Sequence, residues 1–402
     1  MKVLISAYAC EPDKGSEPEV GFRTMLAAAR QHDVWVVTRE NNVDSIKSAL
    51  EERPDRDRVR VVGVDLPPSA RQAKRRWGLA GLHWYYDRWQ RQLSDVVVRL
   101  DHEFDFDVVH HVTFANYWTR CGAAILNKPL VWGPVGGGVD TPLPLAHLLG
   151  WRGLGRDGAR LLLRSAAQAT PWVRRCRRAA AVVLAQNPET SRRIAVAERR
   201  PPEILANALA VAAELPPQRG PRSCDVIFAG RLIPYKAAVL AVSAMRFIRH
   251  PHATLHIYGH GPEHDRIAAW VRRYGLSARV RLAGAIPRAA LLEHIGLAGV
   301  VLHTALHDDS PLSMAEALAL GTPVVYLSRG GPPVLADQWP NTLSYGVRPT
   351  TLNQTSRALA EGVDTLLGAS PPVPTEVVQP QVDFGLAILD AYEAAVRHRS
   401  FE

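Results

Sequence analysis

The sequence predicts an α/β protein of two domains, and two observations carry this prediction. Short apolar runs alternate with helical patterns along the 402 residues, which is typical of βαβ units that build parallel sheets. The alternation occurs in two successive series, separated by a polar stretch at 207–222 that Pro216, Pro217, Gly220 and Pro221 interrupt. A chain of this length normally holds two domains, so we expect each series to form one.

The apolar runs place the strands. The first series predicts strands at 3–6, 34–38, 59–62, 108–112, 130–132 and 181–185, and the second at 225–229, 253–258, 280–283, 299–303 and 322–327. Helical patterns separate most of these runs, and a last helix is expected at 382–398, after a Pro-rich stretch at 371–380.

The composition is that of a globular enzyme, with 47% hydrophobic and 22% charged residues. The sequence contains no run of eighteen apolar residues and no basic segment before its first strand, so we expect neither a membrane-spanning helix nor a signal peptide. The four cysteines are scattered without metal-ligand spacing, which predicts reduced thiols in a cytoplasm. Arg greatly outnumbers Lys, which suggests a GC-rich bacterial genome.

The stretch 307–333 is the most informative part of the chain. Asp308 lies in a loop, and Glu316 lies on the first turns of the following helix, with seven residues between the two acids. The start of a helix has unpaired N–H groups and a positive dipole, both of which favour phosphate. A carboxylate on that helix can accept hydrogen bonds from a ribose. We therefore expect a nucleotide and a sugar to bind here, although an ordinary βα unit with solvated acids would carry the same residues.

A second motif places two cations after a strand. The strand at 226–229 ends in Gly230, and Arg231 and Lys236 follow. Arg can hold phosphate oxygens bidentately and Lys acts as a compact charge, so the pair suits a diphosphate leaving group that gains charge as its bond breaks. Two further turns are expected to line the pocket. They contribute Tyr258, Gly259 and Gly261 after one strand, and Ile286, through its backbone, after the next.

The first loop, at 11–21, lacks the Gly-X-Gly-X-X-Gly pattern, so a dinucleotide site is not supported. Its Gly15 and Ser16 could bring backbone close to a phosphate. The alternative is a plain turn in which Ser16 caps the helix.

Two features of the first half point to a ligand. His110 and His111 end a buried strand, and because neighbouring strand residues face opposite sides we expect only one, His111, to reach a ligand. A buried histidine that holds a loop is the alternative. Gly136, Gly137 and Gly138 follow the next strand and would let the backbone approach a ligand closely.

Together these motifs resemble the retaining nucleotide-sugar glycosyltransferases of family 4, and the resemblance covers nearly the whole chain. It implies the GT-B architecture, two Rossmann-like domains with parallel sheets facing across a cleft. The acceptor domain would be 1–206, the donor domain 207–381, and the helix at 382–402 would cross back to the first domain. The chain departs from the family at Pro311, which has no N–H where members have glycines, and at Gly133 and Pro134, where many members have a His.

The resemblance also implies the chemistry. Arg231, Lys236 and the start of the helix near Ser310 would bind the donor diphosphate, Glu316 the ribose and Asp308 the donor sugar. Transfer would retain the anomeric configuration without a metal or cofactor, and the departing phosphate would take the acceptor proton. The reaction-centre set is Arg231, Lys236, Asp308, Glu316 and His111; the donor-binding set is Gly15, Ser16, Gly230, Tyr258, Gly259, Gly261, Ile286, Ser310 and Leu312; the acceptor side is His110, Gly136, Gly137 and Gly138.

The net charge of +9 raises nucleic acid as a partner, but the sequence has no nucleic-acid-binding motif. The cations cluster instead at 174–178 and at 71–91, where Trp77, Trp84, Tyr85, Tyr86 and Trp89 lie among them. This mixture fits peripheral contact with an anionic membrane, a wall of the acceptor site, or a helix with an aromatic core face and a basic solvent face.

Two other functions remain open at this point. A nucleotide-sugar epimerase can share the architecture and an Arg/Glu site, but it would need paired carboxylates in the first half. A non-catalytic nucleotide-sugar binding protein would be consistent with the missing glycines near Pro311.

Overall fold

The computed structural model describes residues 1–76, 78–195, 201–212 and 215–399. Within these residues the strands are β1 Lys2–Ala7, β2 Asp33–Thr38, β3 Val59–Gly63, β4 Val108–Val112, β5 Leu130–Val135, β6 Ala180–Ala185, β7 Glu203–Ile204, β8 Asp225–Ala229, β9 Thr254–Tyr258, β10 Val280–Gly284, β11 Val300–His303, β12 Val324–Leu327 and β13 Ser344–Val347. The helices are α1 Ser16–Ala29, α2 Val43–Leu50, α3 Pro68–Arg76, α4 Gly78–Phe104, α5 Gly150–Gln168, α6 Pro171–Ala179, α7 Pro188–Ala195, α8 Leu209–Ala212, α9 Ala238–Met245, α10 His264–Arg273, α11 Arg288–Leu297, α12 Leu312–Ala319, α13 Gly331–Gln338, α14 Leu352–Ala369 and α15 Phe384–Arg399. Short 3-10 turns lie at Glu40–Asn42, Arg56–Arg58, Gly122–Ile125, Leu143–Leu149 and Pro234–Lys236.

The chain forms two compact units. Unit 1 is Met1–Gly138, Leu162–Val211 and Asp383–Glu402, and unit 2 is Val139–Leu161 and Ala212–Val382. Residues 139–161, which the predicted boundaries assign to the first domain, thus group with unit 2. Helix α15 packs within unit 1, against α1 and β6.

Unit 1 is built on a parallel sheet with the strand order β3-β2-β1-β4-β5-β6-β7. Every residue of β4 and β5 is buried, because helices cover both faces of the central strands. The order runs outward in both directions from β1, so the switch point, where open α/β sheets bind ligands, lies between β1 and β4.

Unit 2 repeats this plan with a parallel sheet of order β10-β9-β8-β11-β12-β13. Its switch point lies between β8 and β11, which pair through Val300 with Val226 and Val301 with Ile227. All eight residues of α9 are buried, and its Ser243 accepts a hydrogen bond of 2.9 Å from Ser356 of α14 inside the core.

The two cores differ in composition. The unit 1 core is rich in large aromatics, among them Tyr8, Trp35, Tyr86, Trp89 and Trp132. The unit 2 core is mainly Val, Leu, Ile and Ala, drawn from β8, β9, β11 and the helices α9 and α14.

The parallel α/β prediction is confirmed, and each of the eleven predicted strands corresponds to an observed one. Two strands were missed, β7 and β13, because both lie at a sheet edge and are largely exposed, so neither has a continuous apolar run.

The aromatic residues of 71–91 mostly lie in the core rather than on a binding surface. Tyr85, Tyr86 and Trp89 on α4 are at most 3% exposed, whereas Trp84 is 36% exposed. Of the three interpretations of this cluster, these three residues fit the helix with an aromatic core face, since α4 turns them toward the sheet of unit 1 and not toward a membrane. Trp77 lies outside the described residues.

Candidate functional site

Two tight turns pack together at the carboxyl ends of β8 and β9. The Gly230 N–H donates to the Tyr258 carbonyl at 3.0 Å, and the Leu232 N–H donates to the His260 carbonyl at 2.9 Å. A Cβ on Gly259 would lie 1.9 Å from the Gly230 oxygen, so the backbone there must be glycine. The Gly-X-Gly turn therefore fixes the loop that carries the cations of unit 2.

Arg231 and Lys236 lie on this loop with different surroundings. Arg231 is exposed and its guanidinium contacts the Tyr235 hydroxyl at 3.3 Å; it forms no ion pair within the described part of the chain. Lys236 ends the 3-10 turn after β8, and its ammonium makes an ion pair with Asp308. Both cations thus lie at the end of β8 where the sheet order reverses.

Asp308 follows β11, the neighbour of β8, and is nearly buried, with 15% of its side chain exposed. Burial is the largest single influence and raises the pKa of Asp308, but the charge and hydrogen bond of Lys236, together with His303 and His307, outweigh it and hold that pKa below its usual value. His303 Nε2 lies 3.5 Å from the same carboxylate oxygen, and burial lowers the pKa of His303 to about 4. At neutral pH this group is therefore an ionised Lys–Asp pair beside a neutral histidine.

The Gly-Gly turn after β12 holds the backbone of the loop that carries Asp308. The Gly331 N–H donates to the Asp308 carbonyl at 2.9 Å, and a Cβ on Gly330 would lie 2.4 Å from that same oxygen. Gly330 has φ 66°, a conformation that favours glycine. The backbone around Asp308 is thus held by a close approach that a side chain at either glycine would prevent.

Glu316 lies on α12 and is 4% exposed. Its Oε1 accepts a hydrogen bond of 2.6 Å from Arg288, the first residue of α11. Burial raises the pKa of Glu316, and the Arg288 charge offsets this only in part. Helix α12 begins at Leu312 after Pro311, two residues later than expected, so Ser310 lies in the preceding loop.

Several residues near this site were not predicted from the sequence. Arg288 binds Glu316, His303 adjoins Asp308, and the His307 ring stacks on Tyr235 with centroids 4.4 Å apart. Arg160 on α5 contacts His307 Nδ1 at 3.4 Å. His307 lies inside the acidic stretch and His303 ends the predicted strand just before it, whereas Arg160 and Arg288 are single polar residues farther away in the sequence.

The remaining residues that the sequence predicts to bind the donor lie partly in unit 2 and partly in unit 1, and no contact between the two groups is assigned. In unit 2, Tyr258 stacks on His294 with centroids 5.2 Å apart, and Ile286 is half-buried in the turn after β10. In unit 1, Gly15 precedes α1, and Ser16 begins it without a side-chain hydrogen bond that would cap the helix.

His110 and His111 are both buried and point to opposite faces of β4, as the alternation predicts. His110 Nε2 donates to the Gly133 carbonyl at 2.7 Å, which leaves Nδ1 to accept from the Tyr392 hydroxyl at 2.8 Å.

His111 contacts the Tyr86 hydroxyl at 3.2 Å and the Ser6 hydroxyl at 3.1 Å. Burial lowers the pKa of His110 to about 4 and that of His111 to about 3. Because both ring nitrogens of each histidine already have protein partners, this arrangement favours the structural alternative over ligand contact.

The three glycines after β5 are enclosed by protein. A Cβ on Gly138 would lie 2.4 Å from Thr190 Cα, and one on Gly137 would lie 2.7 Å from the Asn116 side chain. Tyr117 donates from its backbone N–H to the Gly136 carbonyl at 3.2 Å. These glycines therefore allow segments of unit 1 to pack closely against one another.

No group of three His, Cys, Asp or Glu side chains that could hold a metal ion occurs within the described residues. The cations of the site are instead the side chains of Arg231 and Lys236. A reaction without a metal ion stays a prediction.

A segment of unit 2 is similar to a known protein family. Residues 218–367 match the family model described as glycosyl transferases group 1. No curated protein sequence matches the chain.

Solved structures share the fold at low sequence identity. HepE of Anabaena, in complex with UDP, is 16% identical, with 100% of both chains covered and a TM-score of 0.54. Sucrose-phosphate synthase from Thermosynechococcus elongatus is 16% identical over 98% of both chains, with a TM-score of 0.55. The lipopolysaccharide outer core galactosyltransferase WaaB is 13% identical, over 99% of this chain and 100% of its own, with a TM-score of 0.59. At these identities the likeness shows the fold.

Proposed function

We propose that this chain, which has the GT-B fold and carries a glycosyl transferases group 1 domain at 218–367, moves a sugar from a nucleotide diphosphate to an acceptor hydroxyl with retention of configuration and without a metal. The observation that carries the proposal is the ion pair of Lys236 with Asp308. It joins the cationic motif to the acidic motif at the switch point of one parallel sheet, where α/β proteins bind ligands.

The donor diphosphate is assigned to Arg231 and Lys236. Arg231 is exposed and makes no ion pair in the described residues, so its fork-shaped guanidinium is available to phosphate oxygens. Lys236 adds a point charge where negative charge grows on the leaving group. These cations take the place that a metal ion has in other phosphate sites, which supports a metal-independent reaction.

The ribose is assigned to Glu316 and the donor sugar to Asp308. Glu316 is held by Arg288, so its second oxygen keeps a defined direction. Asp308 is kept ionised by Lys236 and is therefore ready to accept hydrogen bonds from sugar hydroxyls. No side-chain base is assigned, since the departing phosphate would take the acceptor proton. HepE was solved with UDP and glucose, which supports a nucleoside diphosphate as the ligand of this architecture.

A product analysis tests this proposal against its two alternatives. The purified chain is incubated with nucleotide sugars and a mixture of acceptor alcohols, and free nucleoside diphosphate and the new anomeric linkage are measured by NMR. Transfer predicts nucleotide release together with a retained linkage. An altered sugar still attached to its nucleotide would identify an epimerase, and donor binding without any release would identify a binding protein.

Peripheral contact with an anionic membrane also belongs to the proposal, and helix α5 is the surface that favours it. Trp151, Leu154 and Leu162 recur at helical spacing on one face and are 77%, 44% and 74% exposed. Arg160 and Arg164 lie on the opposite face and bond to the carbonyls of residues 139 and 137. The helix thus turns Arg160 and Arg164 inward and leaves an apolar face exposed, whereas an ordinary surface helix buries its apolar face.

The charged residues beside this apolar face indicate which partner it would contact. Arg152 and Arg156 are exposed on α5, and its one acid, Asp157, is half-buried. Trp and Leu beside exposed arginines suit the headgroup region of an anionic bilayer, where an amphipathic helix lies flat. Within the described residues no helix is long and apolar enough to cross a membrane. Location in the cytoplasm stays a prediction.

A further inference from the structure

Two cations in unit 1 share one aromatic ring at the carboxyl end of the sheet. Tyr8 directly follows β1, and Arg39 directly follows the neighbouring strand β2. The Arg39 guanidinium lies 4.8 Å from the Tyr8 ring centroid, and its Nε donates to the Tyr8 carbonyl at 3.0 Å. Lys74 Nζ, from α3, lies 5.5 Å from the same centroid and donates to the Tyr8 hydroxyl at 3.0 Å. Both cationic groups therefore contact one tyrosine, and they are near enough for the charge of Arg39 to lower the pKa of Lys74.

In the part of the chain that the structure describes, the two cations lack a direct ionic partner. Neither Arg39 nor Lys74 forms an ion pair within 4 Å in the residues that the structure describes. The acid that does influence Lys74, Asp65, accepts hydrogen bonds from the Tyr85 hydroxyl and from the Leu66 N–H at 2.9 Å. The carboxylate of Asp65 is thus already bound by neutral donors, one of which, Tyr85, also places its ring centroid 4.8 Å from Lys74 Nζ.

The pKa of Lys74 reflects the nearby charge of Arg39. Burial lowers the pKa of Lys74, and the charge of Arg39 lowers it further, while Asp65 opposes both. Two like charges that are held together without a counter-ion repel each other, and an anion bound between them would relieve that repulsion. Arg39 and Lys74 are each only half-buried, so such an anion could reach them from solvent.

The position is also that of a ligand site. Arg39 and Tyr8 lie at the carboxyl ends of adjacent parallel strands, the edge at which α/β sheets bind ligands. A guanidinium fork and a compact ammonium together match a phosphate group, which has several acceptor oxygens and close to two negative charges near pH 7.

We propose that Arg39, Lys74 and the Tyr8 hydroxyl form a phosphate-binding site in unit 1, and that the acceptor of this transferase carries a phosphate group there. The assignment of this phosphate to the acceptor rests on the proposed function, whereas the phosphate-binding site itself does not. The phosphate belongs either to a soluble phosphorylated sugar or to the headgroup of a lipid.

The test is a titration of the purified full chain with glucose 6-phosphate, and separately with vesicles containing phosphatidic acid. Saturating nucleoside diphosphate is present in each case, so that the donor site is filled. The expected result is saturable binding of one of the two probes, weakened about tenfold or more in Arg39→Gln and in Lys74→Gln, as loss of a charged hydrogen bond does. In Lys74→Arg, part of the affinity for the probe should be retained. Lys47→Gln and Arg56→Gln are the matched controls, because both are exposed cations of unit 1 outside the basic stretch 71–91, and they should change the affinity by less than about twofold.

The two probes separate the sources of the phosphate. Binding of glucose 6-phosphate that depends on Arg39 and Lys74 identifies a soluble acceptor, and vesicle binding with the same dependence identifies a lipid headgroup. Equal loss in the control variants, or no binding of either probe at millimolar concentration, overturns the site. Nucleoside diphosphate binding measured in the same samples tests the donor site separately, so failure of this inference is distinguishable from failure of the proposed function.

Discussion

Lys236 and Asp308 form an ion pair across the two strands at which the sheet of unit 2 reverses its order, although 72 residues separate them in sequence. Lys236 follows β8 and Asp308 follows β11, so the pair depends on the parallel pairing of these strands. It keeps Asp308 ionised in a nearly buried position. The ion pair links a residue that we assign to the donor phosphate with the residue that we assign to the donor sugar.

Loss of either member of this pair should abolish most of the activity. We expect Lys236→Ala to lower turnover by roughly two to three orders of magnitude, because one contact to the developing charge of the leaving group is lost. Asp308→Asn should lower it as well, since the amide cannot replace the ionised acceptor. Steady-state rates of nucleotide release measure both effects. Lys47→Ala, at an exposed position of α2, is the control, and a wild-type rate in Lys236→Ala would contradict the assignment.

Glu316 should be the residue through which the enzyme recognises the ribose. We expect wild type to prefer the ribonucleotide donor over its 2′,3′-dideoxy analogue, and Glu316→Gln to lose most of this preference, because the variant removes the carboxylate that accepts from the hydroxyls. The ratio of kcat/KM for the two donors is the measurement.

The variant Arg288→Gln separates direct binding of the ribose from orientation of the Glu316 carboxylate. It should lower kcat/KM for both donors while keeping more of the preference than Glu316→Gln does, since Arg288 only orients the carboxylate. An unchanged preference in Glu316→Gln would show that another group binds the ribose.

The buried histidines should make the fold sensitive to mild acid. The pKa of His110 is lowered to about 4, that of His111 to about 3 and that of His303 to about 4, in each case mainly by burial. In the unfolded chain a histidine titrates near 6.5, so between about pH 6.5 and 4 the unfolded state binds more protons. The free energy of unfolding should therefore be highest above pH 6.5 and fall as the pH drops through this window, by on the order of 3 kcal/mol for each such histidine.

Urea unfolding at several pH values measures this dependence. In His110→Gln the slope with pH should become shallower, whereas His264→Gln, at an exposed position of α10, should leave it unchanged. A stability that is constant from pH 7 to pH 4.5 would show that these histidines are not buried in neutral form.

The outward apolar face of α5 should be required for membrane contact. We expect wild type to sediment with phosphatidylglycerol vesicles at low salt and a Trp151→Glu, Leu162→Glu double variant to stay in the supernatant, because it places acids on the face that meets the bilayer. Leu386→Glu is the matched control, since Leu386 is 55% exposed on the separate helix α15.

The oligomeric state distinguishes this contact from self-association. If wild type is a dimer in the absence of vesicles and the double variant is a monomer, then α5 is an interface between two copies and the membrane assignment is wrong. If wild type is a monomer that fails to sediment, membrane contact is wrong as well.

The sequence was sufficient to predict the parts of the fold that local pattern determines. Buried central strands such as β5 and β12 are continuous apolar runs, and the turns at Gly230 and Gly330 mark where strands end. The edge strand β13 has no such run, because only one of its four residues is buried.

Contacts between distant segments could not be predicted in this way. Arg288 is a lone cation whose partner, Glu316, is set by the packing of α11 against α12. The same limit applies to α4, whose mixed aromatic and basic pattern is compatible with several surfaces until the sheet that covers Trp89 is known. Lys236 and Asp308 were both chosen as site residues, but their mutual contact follows only from the strand order.

The most direct test of the central claim is nucleotide binding by the donor site of unit 2. The melting temperature of the purified chain is measured with UDP, GDP, ADP and dTDP, each alone and as a nucleotide sugar, for wild type and for Arg231→Ala. The account predicts that one nucleoside diphosphate stabilises wild type by mass action and that Arg231→Ala loses most of this shift. No shift with any of these nucleotides, or an equal shift in Arg231→Ala, would contradict it.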